Sequence, residues 1–210
     1  MESYIFPDRS GIIIIKNKTQ IRILHRRSTP IILLVIDVQK GITHDRLYAY
    51  ERFIENTTAI IETARHNNIE VIYVQHDDGP GTGFSVGDID YEIADQVKPM
   101  SGEKIYSKSI NSCFGNKELA AYLEKKGDNT LVIVGLQTDF CIDASIKSAR
   151  ERGYHVIVPE GTNSTFDNDY MDKETTFRYF NEMMWPKRYA SCVSMEEAIK
   201  WMEQEGKNGK

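Results

Sequence analysis

Two hydrophobic patterns alternate along the chain from Ile31 onward. Unbroken aliphatic runs such as IILLVID and IEVIYVQH are typical of parallel strands that are covered on both faces. Between them lie segments with helical periodicity, and in FIENTTAIIETARHNN one face carries Phe53, Thr57, Ile60, Ile61 and Ala64. Strands that alternate with helices predict right-handed βαβ units, and therefore an α/β fold with three layers, α/β/α, around a mostly parallel central sheet.

The remaining elements follow from the same patterns. Further strands are predicted at KIYSKS, NTLVIVG, YHVIVPEG and RYASCV, and further helices at NKELAAYLEKKG, CIDASIKSARERG, TTFRYFNEMM and SMEEAIKWMEQ. A loop rich in glycine and aspartate, residues 77–90, interrupts this alternation. Because irregular segments of this length are uncommon inside a compact domain, the loop is a candidate for a functional role.

Residues 1–30 do not share this pattern, so we place a domain boundary there and assign residues 31–210 to a single domain. Two short β-prone runs around residues 16–18 predict a hairpin or an oligomerisation arm. A poorly ordered extension is an equal alternative. The sequence assigns no function to this segment.

Composition narrows the class of protein. Apolar residues make up 40% of the 210 residues and charged residues 27%, which is typical of a soluble globular protein. The net charge of −5 argues against nucleic acid or an anionic membrane as a partner, and no stretch approaches the roughly 20 apolar residues that span a bilayer. Three cysteines without zinc-site spacing favour a reducing, cytoplasmic location over a disulfide framework.

Three chemically distinct side chains follow predicted strands: Asp37, Lys108 and Cys141. In open α/β sheets, ligands bind at the carboxyl ends of the strands, so these side chains could meet in one site. Taken singly, each has an ordinary structural explanation: a turn-capping aspartate, a surface lysine and a packed cysteine. A thiolate would, however, be stabilised at the start of the helix after the third strand and by a nearby ammonium group.

If the three side chains converge, they predict nucleophilic catalysis. Cys141 would be the nucleophile, and Asp37 would take the thiol proton and return it to a leaving amine. Lys108 would keep Asp37 ionised and the thiolate poised, since an opposite charge within about 4–6 Å favours the charged form.

Three motifs resemble the isochorismatase-like cysteine hydrolases, a family that includes nicotinamidases, N-carbamoylsarcosine amidohydrolases and ureidoacrylate amidohydrolases. LLVIDVQKG resembles the family's aspartate segment, SKSINSCFGNKELAAYL its lysine segment, and VIVGLQTDFCIDASIKSARERGYHVIV its nucleophile segment. The downstream PEGTNSTFD also resembles the family. The likeness runs from about Ile31 to Ile199 and places the family's catalytic groups at Asp37, Lys108 and Cys141.

The resemblance implies a Rossmann-like α/β/α fold, a homodimer or homotetramer, and no cofactor. It also implies a cis peptide bond between Leu136 and Gln137, with the backbone N–H groups of Gln137 and Cys141 forming an oxyanion hole. Members that cleave isochorismate lack the cysteine, so the expected reaction is hydrolysis of a C–N bond in a small amide, ureide or lactam.

One departure from nicotinamidases concerns metal binding. Nicotinamidases resembling this chain hold a metal with an Asp-x-His pair and a further histidine, whereas here His44 and Asp45 are adjacent and His76 precedes Asp77. We therefore expect no metal and interpret His44 as a surface residue.

Gln39, His76 and Phe84 are candidates for substrate contact, although turn stabilisation suits Gln39 equally well and a structural hydrogen bond suits His76 at least equally well. Two other functions stay open: a thiol redox protein, and a catalytically silent oligomeric scaffold of the same fold. The redox role would have no use for Asp37 and Lys108 together.

Overall fold

The structure of the protein is a computed structural model that describes residues 12–17, 20–25, 31–127 and 130–208. Strands β1 (Ile12–Asn17) and β2 (Gln20–His25) pair antiparallel as a separate two-stranded sheet. The rest of the predicted N-terminal extension, at residues 1–11, 18–19 and 26–30, lies outside the described residues. The arm function and the domain boundary therefore stay predictions.

The second sheet is parallel and contains the other strands. They are β3 (Ile31–Ile36), β4 (Glu70–His76), β5 (Lys104–Lys108), β6 (Thr130–Leu136), β7 (His155–Pro159), β8 (Asn163–Ser164) and β9 (Ser191–Val193). The spatial order is β5-β4-β3-β6-β7-β9, while the short β8 extends the pairing at the end of β6. The predicted mostly parallel sheet is confirmed.

Helices cover both faces of this sheet. They are α1 (Tyr50–His66), α2 (Lys117–Lys126), α3 (Asp143–Glu151), α4 (Lys173–Arg178) and α5 (Met195–Asn208). Helices α1 and α5 pack on one face, and α2 and α3 pack on the other. Successive residues of β3 alternate between these two cores, as a strand buried on both sides requires. The predicted three layers are therefore confirmed, and the buried residues of α1 are the predicted stripe.

Two predicted helices differ from the structure in their backbone. The TTFRYFNEMM segment begins as α4 but continues as a π-helical segment over Tyr179–Met184. The helix after β6 was expected to begin at Cys141, whereas a π-helical turn over Thr138–Ile142 precedes α3. Short 3₁₀ turns occur at Asp95–Val97 and Cys113–Gly115. Among the helices of the described ranges, none is long and apolar enough to cross a bilayer.

Candidate active site

The carboxyl ends of β3, β5 and β6 meet at one edge of the parallel sheet. The chain passes from β3 to β4 and β5 on one side, and then returns to form β6 on the other side of β3. Such a reversal of strand order opens a crevice at the carboxyl edge of an open α/β sheet. Asp37 directly follows β3, Lys108 is the last residue of β5, and Cys141 lies in the π-helical turn after β6.

Lys108 is the centre of this cluster. Its Nζ donates hydrogen bonds to Asp37 Oδ2 at 2.7 Å and to Cys141 Sγ at 3.2 Å, and it contacts His76 Nδ1 at 2.9 Å. The side chains of Lys108 and Asp37 are 0% and 1% exposed. The sequence-predicted trio is thus brought into contact, and the surface-lysine alternative is wrong.

Asp37, the residue after β3, has a left-handed conformation with φ of 54°. Aspartate tolerates this region better than most residues, and the Asp37 N–H still continues the ladder by donating to the Val74 carbonyl at 2.8 Å. Its second carboxylate oxygen, Oδ1, is buried and has no hydrogen-bond partner within the described part of the chain. The carboxyl group therefore keeps one free acceptor inside the cluster.

Burial governs the protonation of the cluster. Desolvation raises the pKa of Asp37 above its usual value, although Lys108 opposes this shift. Desolvation, together with the charge of Asp37, raises the pKa of the Cys141 thiol to about 12, again against the influence of Lys108. In the resting cluster, burial and the charge of Asp37 therefore favour the protonated thiol, and the expectation that Lys108 poises a thiolate stays a prediction.

Cys141 lies inside the π-helical turn Thr138–Ile142 and not at the start of a helix. The Ile142 N–H donates to the Gln137 carbonyl at 3.1 Å, so Cys141 is not the first residue of the turn. Two side-chain hydrogen bonds connect this turn to the segment around β8, one from Thr138 to Asn163 and one from Thr165 to Asp139. These two hydrogen bonds hold the turn that carries the thiol against the segment around β8.

The Leu136–Gln137 peptide bond is cis, as the resemblance implied. The assignment of the Gln137 and Cys141 N–H groups to an oxyanion hole stays a prediction.

The three substrate-contact candidates occupy different environments. Gln39 is fully buried, and its amide bonds to the backbone of His76 and to the Tyr91 carbonyl. This arrangement fits the turn-stabilising alternative, and a substrate contact of Gln39 stays a prediction. His76 contacts Lys108 directly. The ring of Phe84 is partly exposed and lies over Gly41, where an added Cβ would come within 2.9 Å of it.

Two further polar residues at the site were not singled out from the sequence. Asp78 Oδ1 lies 3.1 Å from His76 Nε2, and Asn111 Oδ1 lies 3.8 Å from Cys141 Sγ. Both are in loops just after a strand, and that position at the carboxyl edge is the signal that could have identified them.

The cluster also has the composition of a metal site. One ligand atom each from Asp37, His76 and Cys141 lies within 4.8 Å of the others. The Lys108 ammonium contacts all three residues, so a cation already occupies the position that these ligands surround. His44, the other histidine considered for metal binding, stacks on Phe166 with ring centroids 5.0 Å apart.

The other cysteines differ from Cys141 in their surroundings. Cys113 is fully buried, and burial raises its pKa to about 11. Cys192 is half-buried with its pKa likewise raised to about 11, and both thiols are free. Their environments are consistent with packing.

Comparison with known proteins identifies the family. A model of the isochorismatase domain matches residues 31–192. The chain belongs to the isochorismatase family. An uncharacterized isochorismatase family protein of Bacillus subtilis (strain 168), YrdC, is 30% identical over 175 residues, which cover 80% of this chain and 93% of that protein.

Two further similar proteins are informative. The ureidoacrylate amidohydrolase RutB of Agrobacterium fabrum is 23% identical over 161 residues, covering 63% of this chain and 71% of that protein. A crystal structure of an isochorismatase family protein superposes with a TM-score of 0.72 at 26% identity, covering 79% of this chain and 98% of that one. The protein is thus an isochorismatase-family hydrolase whose Asp37, Lys108 and Cys141 form one cluster.

Proposed function

We propose that this isochorismatase-family hydrolase cleaves a C–N bond in a small amide, ureide or lactam through an acyl-enzyme on Cys141. The observation that carries the proposal is the position of the Lys108 Nζ, 2.7 Å from a buried carboxylate oxygen and 3.2 Å from the thiol sulfur. A base, a cation and a nucleophile in mutual contact are the groups that amide cleavage requires.

In the first step, Asp37 takes the thiol proton and Cys141 Sγ attacks the substrate carbonyl carbon. The free Oδ1 of Asp37 supports this assignment, because it offers an unused acceptor to the proton. Lys108 balances the negative charge as it moves from the carboxylate to the sulfur and the carbonyl oxygen. The backbone N–H groups of Gln137 and Cys141 are proposed to stabilise the oxyanion.

In the second step, Asp37 returns the proton to the substrate nitrogen, the C–N bond breaks and a thioester remains on Cys141. An amide or ureide releases an amine or ammonia in this step, whereas the amino group of a lactam stays attached to the acyl group. Water then loses a proton to Asp37 and attacks the thioester carbon. The C–S bond breaks, and the sulfur takes back the proton. The net reaction consumes one water and yields an acid and an amine.

Two observations favour this reaction over the other functions considered. The relative RutB is an amidohydrolase, which agrees with a nucleophile suited to amide cleavage. A redox thiol would make no use of the buried Asp37–Lys108 pair. Metal independence is part of the proposal, since the Lys108 ammonium already provides a cation. A homo-oligomeric assembly and a cytoplasmic location stay predictions.

The experiment is a screen of small amides, ureides and lactams, which measures the ammonia or amine released from the first two and the new amino group of a ring-opened lactam. We expect Cys141→Ala to abolish release, while Cys192→Ala, which removes a partly buried thiol, should leave it intact. Intact-mass spectrometry of a quenched wild-type reaction should show a mass increase equal to the acyl group. Turnover that survives Cys141→Ala would refute the proposal. Thiol oxidation without any amine release would support the redox function instead.

A further inference from the structure

His76 lies beside Lys108 because of strand register. His76 ends β4, Lys108 ends β5, and the two residues are paired neighbours in the parallel ladder. Adjacent in-register residues point to the same face of a sheet, with strands about 4.8 Å apart. The His76 ring therefore reaches the lysine, with Nδ1 at 2.9 Å from Nζ, and its other nitrogen, Nε2, lies 3.1 Å from Asp78 Oδ1.

This contact fixes the position of the imidazole proton. An ammonium group has three donors and no acceptor, so His76 Nδ1 must present a lone pair to it. The ring proton is then on Nε2, where it is donated to Asp78. The three acceptors around Nζ, on Asp37, His76 and Cys141, use all three N–H bonds of the ammonium group.

The backbone of His76 is fixed as well. The His76 N–H donates to Gln39 Oε1 at 2.7 Å, and Gln39 Nε2 donates to the His76 carbonyl at 3.0 Å. Because Gln39 is fully buried, this two-point contact holds the end of β4 in place. The backbone of His76 is thus held by Gln39, and its imidazole ring faces the Lys108 ammonium.

We propose that His76 is a positioning residue for Lys108, and that Asp78 holds its ring in the tautomer that accepts from the ammonium. By taking the third N–H, His76 keeps Nζ between the carboxylate of Asp37 and the sulfur of Cys141. His76 therefore acts through Lys108. The consequence for turnover rests on the proposed function, whereas the consequence for the Cys141 thiol does not.

The test compares His76→Leu with His76→Asn. Leucine removes the acceptor, whereas the asparagine Oδ1 can stand near the Nδ1 position and accept the same N–H. The first readout is the rate at which iodoacetamide alkylates the Cys141 thiol at pH 8, followed by mass spectrometry of the Cys141 peptide. The second is kcat and KM for an amide substrate identified in the screen.

We expect His76→Leu to slow alkylation of Cys141 about tenfold, the upper part of the range for loss of one hydrogen bond, because a displaced Lys108 no longer stabilises the thiolate. We expect kcat to fall by a similar factor with KM unchanged, and His76→Asn to restore both rates to within about threefold of wild type. Equal impairment of the two variants would overturn the proposal, as would an unimpaired His76→Leu.

If no amide is turned over by wild type but alkylation still separates the two His76 variants, the hydrolase proposal fails and the positioning role stands. If thermal unfolding shows that His76→Leu does not fold, Asp78→Ala replaces it, since Asp78 is 54% exposed and tolerates truncation. Slower alkylation in Asp78→Ala than in His76→Asn would support the proposal, and a wild-type rate in Asp78→Ala would overturn it.

Discussion

Replacement of Lys108 by methionine should destabilise the protein in a pH-dependent way. The Lys108 Nζ lies 2.7 Å from Asp37 Oδ2, and the two side chains are 0% and 1% exposed. Removing one partner of a fully buried ion pair typically costs about 3–5 kcal/mol, because the remaining charge is left without compensation. We expect Lys108→Met to lose a free energy of unfolding in this range at pH 8.

The dependence on pH follows from the pKa of Asp37. Burial already raises that pKa, and Lys108 is the largest influence that lowers it, so the folded-state pKa rises further in the variant. Between the unfolded value of about 3.9 and the folded value, the native state binds more protons than the unfolded state. The free energy of unfolding therefore falls as pH rises through that window, by at most about 1.4 kcal/mol per pH unit. The destabilisation should be smaller at pH 5 than at pH 8.

Urea titrations of the full chain at both pH values measure this effect. The control is the double variant Asp37→Asn, Lys108→Met, which removes both charges and should recover most of the lost free energy at pH 8. A single variant that is equally destabilised at pH 5 and pH 8, or a double variant no more stable than the single one, would contradict the reasoning.

Three further predictions follow from other contacts. Burial and, after it, the charge of Asp37 raise the pKa of the Cys141 thiol to about 12. Asp37→Asn removes the second of these causes, so the variant thiol should be alkylated at a lower pH than wild type, and an unchanged pH profile would contradict this. Lys108→Ala vacates the centre of the three-ligand cluster, so the variant should bind Co²⁺ with thiolate-to-metal absorption, which should vanish when Cys141 is also replaced by alanine. Gly135→Ala places a Cβ 1.9 Å from a carbonyl oxygen of the neighbouring strand, at φ of 125°. Denaturant titrations should show that its free energy of unfolding falls by at least about 3 kcal/mol. The control Gly153→Ala, where φ is also positive but no atom lies close to the added Cβ, should lose about 1 kcal/mol.

The layers of the fold and the catalytic candidates could be predicted because each depends on local pattern. The aliphatic run of β3 specifies a strand buried on both sides, and the polar residue that ends it is visible in the sequence as Asp37. Lys108 and Cys141 follow strands in the same way, and the rule for open α/β sheets then brings all three to one edge.

The contacts of His76 could not be predicted, because they depend on strand register. His76 and Lys108 are 32 positions apart in the chain, and they meet since β4 and β5 end at the same level in the ladder. A shift of one residue would have turned the imidazole to the opposite face of the sheet. The π-helical turn before α3 is equally inaccessible to periodicity, because its extra residue per turn leaves the apolar pattern of a short segment almost unchanged.

A resting thiol with a raised pKa is consistent with the proposed hydrolysis, because the cluster conserves its charge. Before reaction, the Asp37 carboxylate and the Lys108 ammonium form a neutral pair beside a neutral thiol. When the thiol proton moves to Asp37, the ammonium is left with the thiolate, and its Nζ already lies 3.2 Å from Sγ. The reaction therefore moves a negative charge within contact of one cation, and no additional charge is buried. The sulfur can therefore give its proton to Asp37 as it attacks the carbonyl carbon, without leaving the contact of Lys108.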